Sequence, residues 1–212
     1  MKLTFVLLSL CAAAVAQTKS AGQPNLMDPS TLKATAPATF NVLVETTKGP
    51  FTIKVTRSWA PNGADHFYNL VRAGFYNDAA FFRVIPGFMA QFGISARPEV
   101  SRLYANANIQ DDPVKESNTR GMVTFAQTAA RNSRSTQLFI NYGDNSRLNA
   151  DRFAPFGEVV KGMEIVDQIY SGYGERPDQG AITSQGKAYL DKNFPRLDRI
   201  TSMTIEDTPA KK

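Results

Sequence analysis

The chain has 212 residues, 42% of them apolar and 20% charged, with a formal net charge of +5; this suits one domain with a full core and excludes wholesale disorder. Its 24 basic residues are scattered, which argues against a nucleic-acid stripe; the local group Arg131, Arg134, Arg147 and Arg152 reads as a solvated positive loop face. With one cysteine, Cys11, and one histidine, His66, the chain cannot carry a cysteine nucleophile in its mature form, a zinc site built on Cys or several His, or most Ser-His arrangements.

Lys2, the apolar run from Leu3 to Val15 and the small-x-small triplet Ala14-Val15-Ala16 form the pattern of a secretory signal peptide over residues 1–16, cut after Ala16. The run is short for a membrane span. Leu10 is bulky where a lipidated Cys11 would want a small neighbour, so Cys11 leaves with the leader and the mature chain has no thiol. This predicts a protein exported to the periplasm or the medium, without a membrane anchor after cleavage. Residues 17–39, rich in Ala, Pro, Ser and Thr, read as a flexible N-terminal arm.

From Phe40 the pattern changes. Residues 40–46 and 51–55 read as strands around the turn Thr47-Lys48-Gly49-Pro50. Residues 58–74 read as a helix, with Pro61 in its first turn, Phe67, Leu70 and Val71 as its apolar stripe and Gly74 at its end. His66 falls on the polar side and reads as a surface residue. Two short strands flank Pro86-Gly87. Residues 94–119 form a long polar excursion, of the kind that is usually functional. Residues 121–126, 136–141 and 156–160 read as strands, 162–170 as a second helix, 188–190 as a short helical stretch and 200–206 as the last strand. The folded domain spans 40–207, and 208–212 is a charged tail. Many short strands with only two clear helices predict a mainly β fold, a closed antiparallel barrel. Nothing in the sequence demands more than a monomer.

One run carries chemistry: Phe81-Phe82-Arg83-Val84-Ile85-Pro86-Gly87-Phe88-Met89-Ala90-Gln91-Phe92-Gly93. A permanently charged guanidinium among apolar residues needs a task, and Gln91 falls in a strand position that shares its concavity. This run, with Gly121-Met122-Val123-Thr124-Phe125-Ala126, Ser135-Thr136-Gln137-Leu138-Phe139-Ile140 and Phe156-Gly157-Glu158-Val159-Val160, resembles the cyclophilin family of peptidyl-prolyl cis/trans isomerases over roughly residues 40–206. The resemblance implies a closed eight-stranded antiparallel barrel capped by two α-helices. It implies activity on X-Pro bonds of unfolded or loop-exposed polypeptides, with neither cofactor nor metal. It places Arg83 as the catalytic residue and Phe88, Met89, Phe139 and Leu148 as the proline pocket. Gln91 would position the arginine and the peptide, and Gln137 the wall between subsites. Ala126 and Gln127 would bind the residue before proline, and Phe153 falls near a frequent pocket histidine.

Three departures stand out. Phe82 replaces a histidine common in eukaryotic members, and the stretch 148–156 carries one extra residue, which blurs the placement of Phe153. Arg147 replaces the tryptophan of cyclosporin-sensitive members, so weak cyclosporin binding is implied. A catalytically weak module that binds proline-containing partners is the alternative reading.

Overall fold

The structure is a computed structural model that describes residues 24–206; the proposed signal peptide, its cut after Ala16, Cys11 and the charged tail lie outside these residues. In chain order the elements are β1 (Thr39–Thr46), β2 (Phe51–Thr56), α1 (Pro61–Arg72), β3 (Arg83–Ile85), β4 (Met89–Phe92), α2 (Pro98–Tyr104), β5 (Met122–Phe125), β6 (Leu138–Asn141), β7 (Pro155–Lys161), α3 (Met163–Val166), α4 (Gln179–Gln185), α5 (Lys187–Asn193) and β8 (Ile200–Glu206). The eight strands make one antiparallel sheet in the order β3-β4-β6-β5-β7-β2-β1-β8.

The sheet curls, but it closes less fully than the sequence predicts. β3 and β8 are its two edges, and they share no ladder. The seam is held by the isolated bridge Ala80↔Arg199 and by backbone bonds from Phe81 N to Asp198 O and from Asp78 N to Ile200 O. β3 is only three residues long, and on its outer edge Val84 N donates to Gly174 O instead of to β8.

The helices outnumber the two expected. α1 falls where its apolar stripe predicts, with Phe67, Leu70 and Val71 buried against the sheet. α3 has only four residues, shorter than the predicted 162–170. α2 lies inside the polar excursion and α4 inside a Gly/Pro/Gln-rich stretch, where periodicity gives no warning. Helices of seven residues are marginal alone; here α2 starts on Pro98, the Asp178 carboxylate accepts from Ala181 N at the start of α4, and the two pack together.

In β1 the alternation of buried and open positions is regular, with Val42 and Val44 turned inward. Phe67, Phe125 and Phe156 stack in the main core, with ring centroids 5.0 and 5.1 Å apart. A second, smaller core gathers Ala80, Phe82, Ile94, Ile182, Leu190 and Leu197 beneath α4 and α5. Phe82 is thus a packing residue. Gly93 follows β4 at φ +104°, and a Cβ there would meet Thr136 O at 2.4 Å; only glycine lets β4 lie this close to the approach to β6.

Three further expectations need correction. The arm is not free along its whole length: Ala34 N donates to Asn69 Oδ1, Asn69 Nδ2 donates to Ala34 O, and Ala36 N donates to Asp65 Oδ1. These bonds pin the arm to α1. Arg134 is no part of a solvated face. It is 1% exposed and pairs with the buried Asp112 carboxylate, Nη1 to Oδ2 at 3.1 Å. Asp112 in turn accepts from the backbone N–H groups of Asn62 and Gly63, capping α1, whose own N-cap residue, Ala60, has no side chain for the task.

His66 is the third. It is half-buried, tilts against Phe125 with centroids 5.9 Å apart, and its Nε2 is covered without a partner. Burial, with nearby Arg134 as a smaller contribution, holds its imidazole down to about 4. The ordinary value is 6.5, so between there and about 4 an unfolded chain takes up a proton that the native chain refuses. His66 therefore contributes stability that is full above pH 6.5 and lost as pH falls. Urea unfolding at about pH 7.5 and about pH 5 should show wild type weakening in acid more than His66→Gln.

A candidate active-site cleft on one face of the sheet

The strand register builds the site. Arg83 pairs with Gln91 across β3 and β4, and Gln91 pairs with Phe139 across β4 and β6. Directly paired residues of an antiparallel ladder point to the same face, so these three side chains form a row. Their strand neighbours Val84, Ala90, Phe92, Leu138 and Ile140 point the other way and are buried in the main core. The alternation that places a charge among apolar residues in the sequence is therefore a two-faced sheet. Met89 lies two positions from Gln91 on the same face, and Phe88 closes the hairpin turn, its N–H donating to Ile85 O.

These residues floor a cleft of about 640 Å³. All the side chains proposed from sequence line it: Arg83, Phe88, Met89, Gln91, Ala126, Gln127, Gln137, Phe139, Leu148 and Phe153. Six further residues complete the walls: Ala105, Asn108, Thr128, Ser133, Ser135 and Gln179. They lie in loops and at the start of α4; Ser135 opens one of the motifs quoted above, and no motif announces the other five. Hydropathy gives no signal for them either.

A polar relay runs along the floor. Arg83 Nη1 donates to Gln91 Oε1 at 3.2 Å, and Gln91 Nε2 donates to Gln137 Oε1 at 2.8 Å. Met89 Sδ lies 3.9 Å from Arg83 Nη1. The other edge of the guanidinium meets a residue the sequence did not single out: Arg83 Nε donates to Glu175 Oε1 at 2.6 Å, and Nη2 donates to the same oxygen. Gln127 is anchored at the rim, its Nε2 donating to Asp151 O at 2.6 Å.

The uncertain stretch 148–156 has a definite course. Residues Ser146–Asn149 form a 3₁₀ turn, Arg152 adopts φ +67°, and Phe153 N returns to Leu148 O. Phe153 then stands edge-on to Phe139, centroids 5.8 Å apart, in the same apolar pocket as Leu148.

Behind this pocket lies a buried set of amides and one hydroxyl. Asn145 Nδ2 donates to Phe88 O and to Asn141 Oδ1, each at 2.8 Å. Asn118 Nδ2 donates to Phe153 O at 2.8 Å and to Asn149 Oδ1 at 2.9 Å, while its Oδ1 accepts from Thr124 Oγ1. The backbone on both sides of the pocket is therefore tied to one network. Arg147 lies beside the cleft, its guanidinium 4.9 Å from the Phe88 ring centroid and its Nη1 donating to Asn145 Oδ1.

Chemically, the cleft offers a cationic hydrogen-bond donor held by an amide relay beside an apolar pocket. Among the described residues no group of three or more His, Cys, Asp or Glu side chains gathers to hold a metal.

The profile of the family described as cyclophilin type peptidyl-prolyl cis-trans isomerase/CLD matches residues 41–187. A peptidyl-prolyl cis-trans isomerase of Acinetobacter baylyi is 38% identical over 145 residues, covering 65% of this chain and 77% of that protein. Peptidyl-prolyl cis-trans isomerase B of Escherichia coli is 33% identical over 175 residues, covering 78% of this chain and 99% of that protein. A cyclophilin type isomerase of Cryptosporidium parvum, crystallised in the presence of the dipeptide Ala-Pro, superposes with a TM-score of 0.61 at 20% identity, over 79% of this chain and 99% of that one. With the site's geometry and these matches together, the chain belongs to the cyclophilin-type peptidyl-prolyl cis-trans isomerase family.

Proposed function

We propose that the protein accelerates cis/trans rotation about X-Pro bonds in exported polypeptides, with Arg83 as the catalytic residue. The observation that carries this is the guanidinium of Arg83, held by Gln91 beside the pocket of Phe88, Met89, Phe139, Leu148 and Phe153. Rotation about the bond breaks amide resonance at a barrier of ~18–20 kcal/mol, and no covalent bond has to form or break elsewhere. A twisted X-Pro bond has a nitrogen lone pair no longer shared with the carbonyl. Arg83 donates to that nitrogen only in the twisted state, which is what lowers the barrier. The apolar walls hold the proline ring and keep water from competing for the donor.

The pattern of residues 1–16 supports export, with the mature chain beginning at Gln17; mass spectrometry of the protein recovered from an expressing bacterium would give its first residue. The function itself is tested by two-dimensional exchange NMR on an Ala-Pro peptide. Cross-peaks between the cis and trans forms should appear with catalytic amounts of the protein. If the peptide binds but its exchange rate stays at the uncatalysed value, the reading as an isomerase fails and the chain is a proline-binding module. Arg147 favours some alteration of that kind at the rim, since a cation stands where a flat indole would serve cyclosporin. Calorimetric titration should show cyclosporin binding weakly, with an Arg147→Trp variant binding it at least tenfold more tightly, about 1.4 kcal/mol.

A further inference from the structure

Glu175 belongs to none of the motifs that carry the family resemblance, yet it touches the arginine on which the proposed function rests. We propose that Glu175 is a positioning residue: it fixes the Arg83 guanidinium in the orientation from which Arg83 donates into the cleft. This rests on the reading of the protein as an isomerase.

The loop bearing Glu175 is built for the contact. Gly174 O accepts from Val84 N at 3.3 Å, so the loop's backbone lies along the free edge of β3, one residue from Arg83. The loop is closed on itself by Gly174 N to Ser171 O and Arg176 N to Tyr173 O. Arg176 folds back to donate to the carbonyls of Tyr173 and Gly172. Tyr173 is wedged between Tyr170 and Phe194, each ring centroid 5.1 Å away. Glu175 therefore reaches Arg83 from a fixed base.

Arginine presents five N–H donors in a planar fork. Glu175 Oε1 engages Nε and Nη2, while Gln91 Oε1 engages Nη1. Contacts on all three nitrogens fix the plane and its rotation. Without Glu175, only Nη1 keeps partners, Gln91 and the Met89 sulfur, and the fork can swing about the bonds of its stem. A carboxylate also opposes the positive charge that catalysis uses. Here geometry outweighs charge. The Glu175 side chain is 59% exposed, so water screens its charge, whereas its hydrogen bonds act at contact.

The experiment compares E175A and E175Q in the full-length mature protein, by kcat and KM on an Ala-Pro peptide and by the ¹⁵N–¹H NMR signal of Arg83 Nε. E175A is expected to lose about five- to tenfold in kcat, with KM within about twofold. E175Q keeps an acceptor oxygen and should stay within about threefold of wild type. The Nε–H signal, sharp in wild type and E175Q, should broaden or move toward a solvent-exposed value in E175A. If wild type itself gives no acceleration, the isomerase reading falls, and the Nε–H signal alone decides whether Glu175 holds Arg83. The proposal is overturned if E175A keeps wild-type kcat, if both variants are faster, if E175Q is as slow as E175A, or if the Nε–H signal is the same in all three.

Discussion

Arg83→Ala is expected to lower kcat/KM on an X-Pro peptide by about a hundredfold or more, the loss typical of removing one preorganised donor to a transition state. Peptide affinity should fall far less, because the proposed pocket for the proline ring is built from other side chains, Phe88, Met89, Phe139, Leu148 and Phe153. Arg83→Lys should recover little. An ammonium keeps the charge but cannot engage Gln91 and Glu175 together while presenting a further donor. Line-shape analysis of a proline peptide titrated with each variant separates binding from exchange. An Arg83→Ala protein within threefold of wild type would remove the arginine from the mechanism, whatever the homology says.

The second large effect is on stability. Asp112→Ala should cost about 3–5 kcal/mol, because it removes the buried carboxylate beside the Arg134 guanidinium and leaves it only the more exposed Asp111, Nε to Oδ1 at 3.7 Å, and the Gln110 carbonyl. It also uncaps α1, where the Asn62 and Gly63 N–H groups lose their acceptor. In a chain of this size that corresponds to a melting temperature lower by about 6–20 °C. The double variant Asp112→Ala/Arg134→Met should regain part of the loss, since an apolar side chain in the same space leaves no orphan charge. Urea denaturation of the three variants decides this; an Asp112→Ala protein within about 1 kcal/mol of wild type would mean that the pair is compensated elsewhere. The consequence reaches the cleft as well, because Arg134 immediately precedes Ser135, which lines it.

Residues whose environment is local and periodic were legible in the sequence. The β1 alternation, the α1 stripe and the Arg83–Gln91 spacing each reflect one element meeting one core, and each falls where the pattern predicts. The ten cleft residues were read through resemblance; the strand register aligns Arg83, Met89, Gln91 and Phe139, and the flanking turns and loops bring the other six to the same cleft. What stayed hidden depends on partners distant in the chain. Arg134 reads as one more loop arginine until Asp112, 22 residues earlier, is seen beside it. Glu175 lies 92 residues from Arg83, in a stretch with no periodicity. His66 occupies the polar side of its helix, and it is half-buried only because Phe125, 59 residues later in the chain, packs against it. The closed barrel was overstated because strand count carries no information about whether the first and last edges meet.

The network behind the proline pocket has one property that its members share. Asn118, Asn141, Asn145, Asn149 and Thr124 are amides and a hydroxyl, and none of them gains or loses a proton in the range where carboxylates and imidazoles do. The carbonyls of Phe88 and Phe153 are thus anchored by groups indifferent to acidity. Under the proposed export, the protein would meet whatever pH its surroundings impose. In acid, His66 would weaken the fold as a whole, while the back wall of the proline pocket would keep its shape for as long as the chain stayed folded.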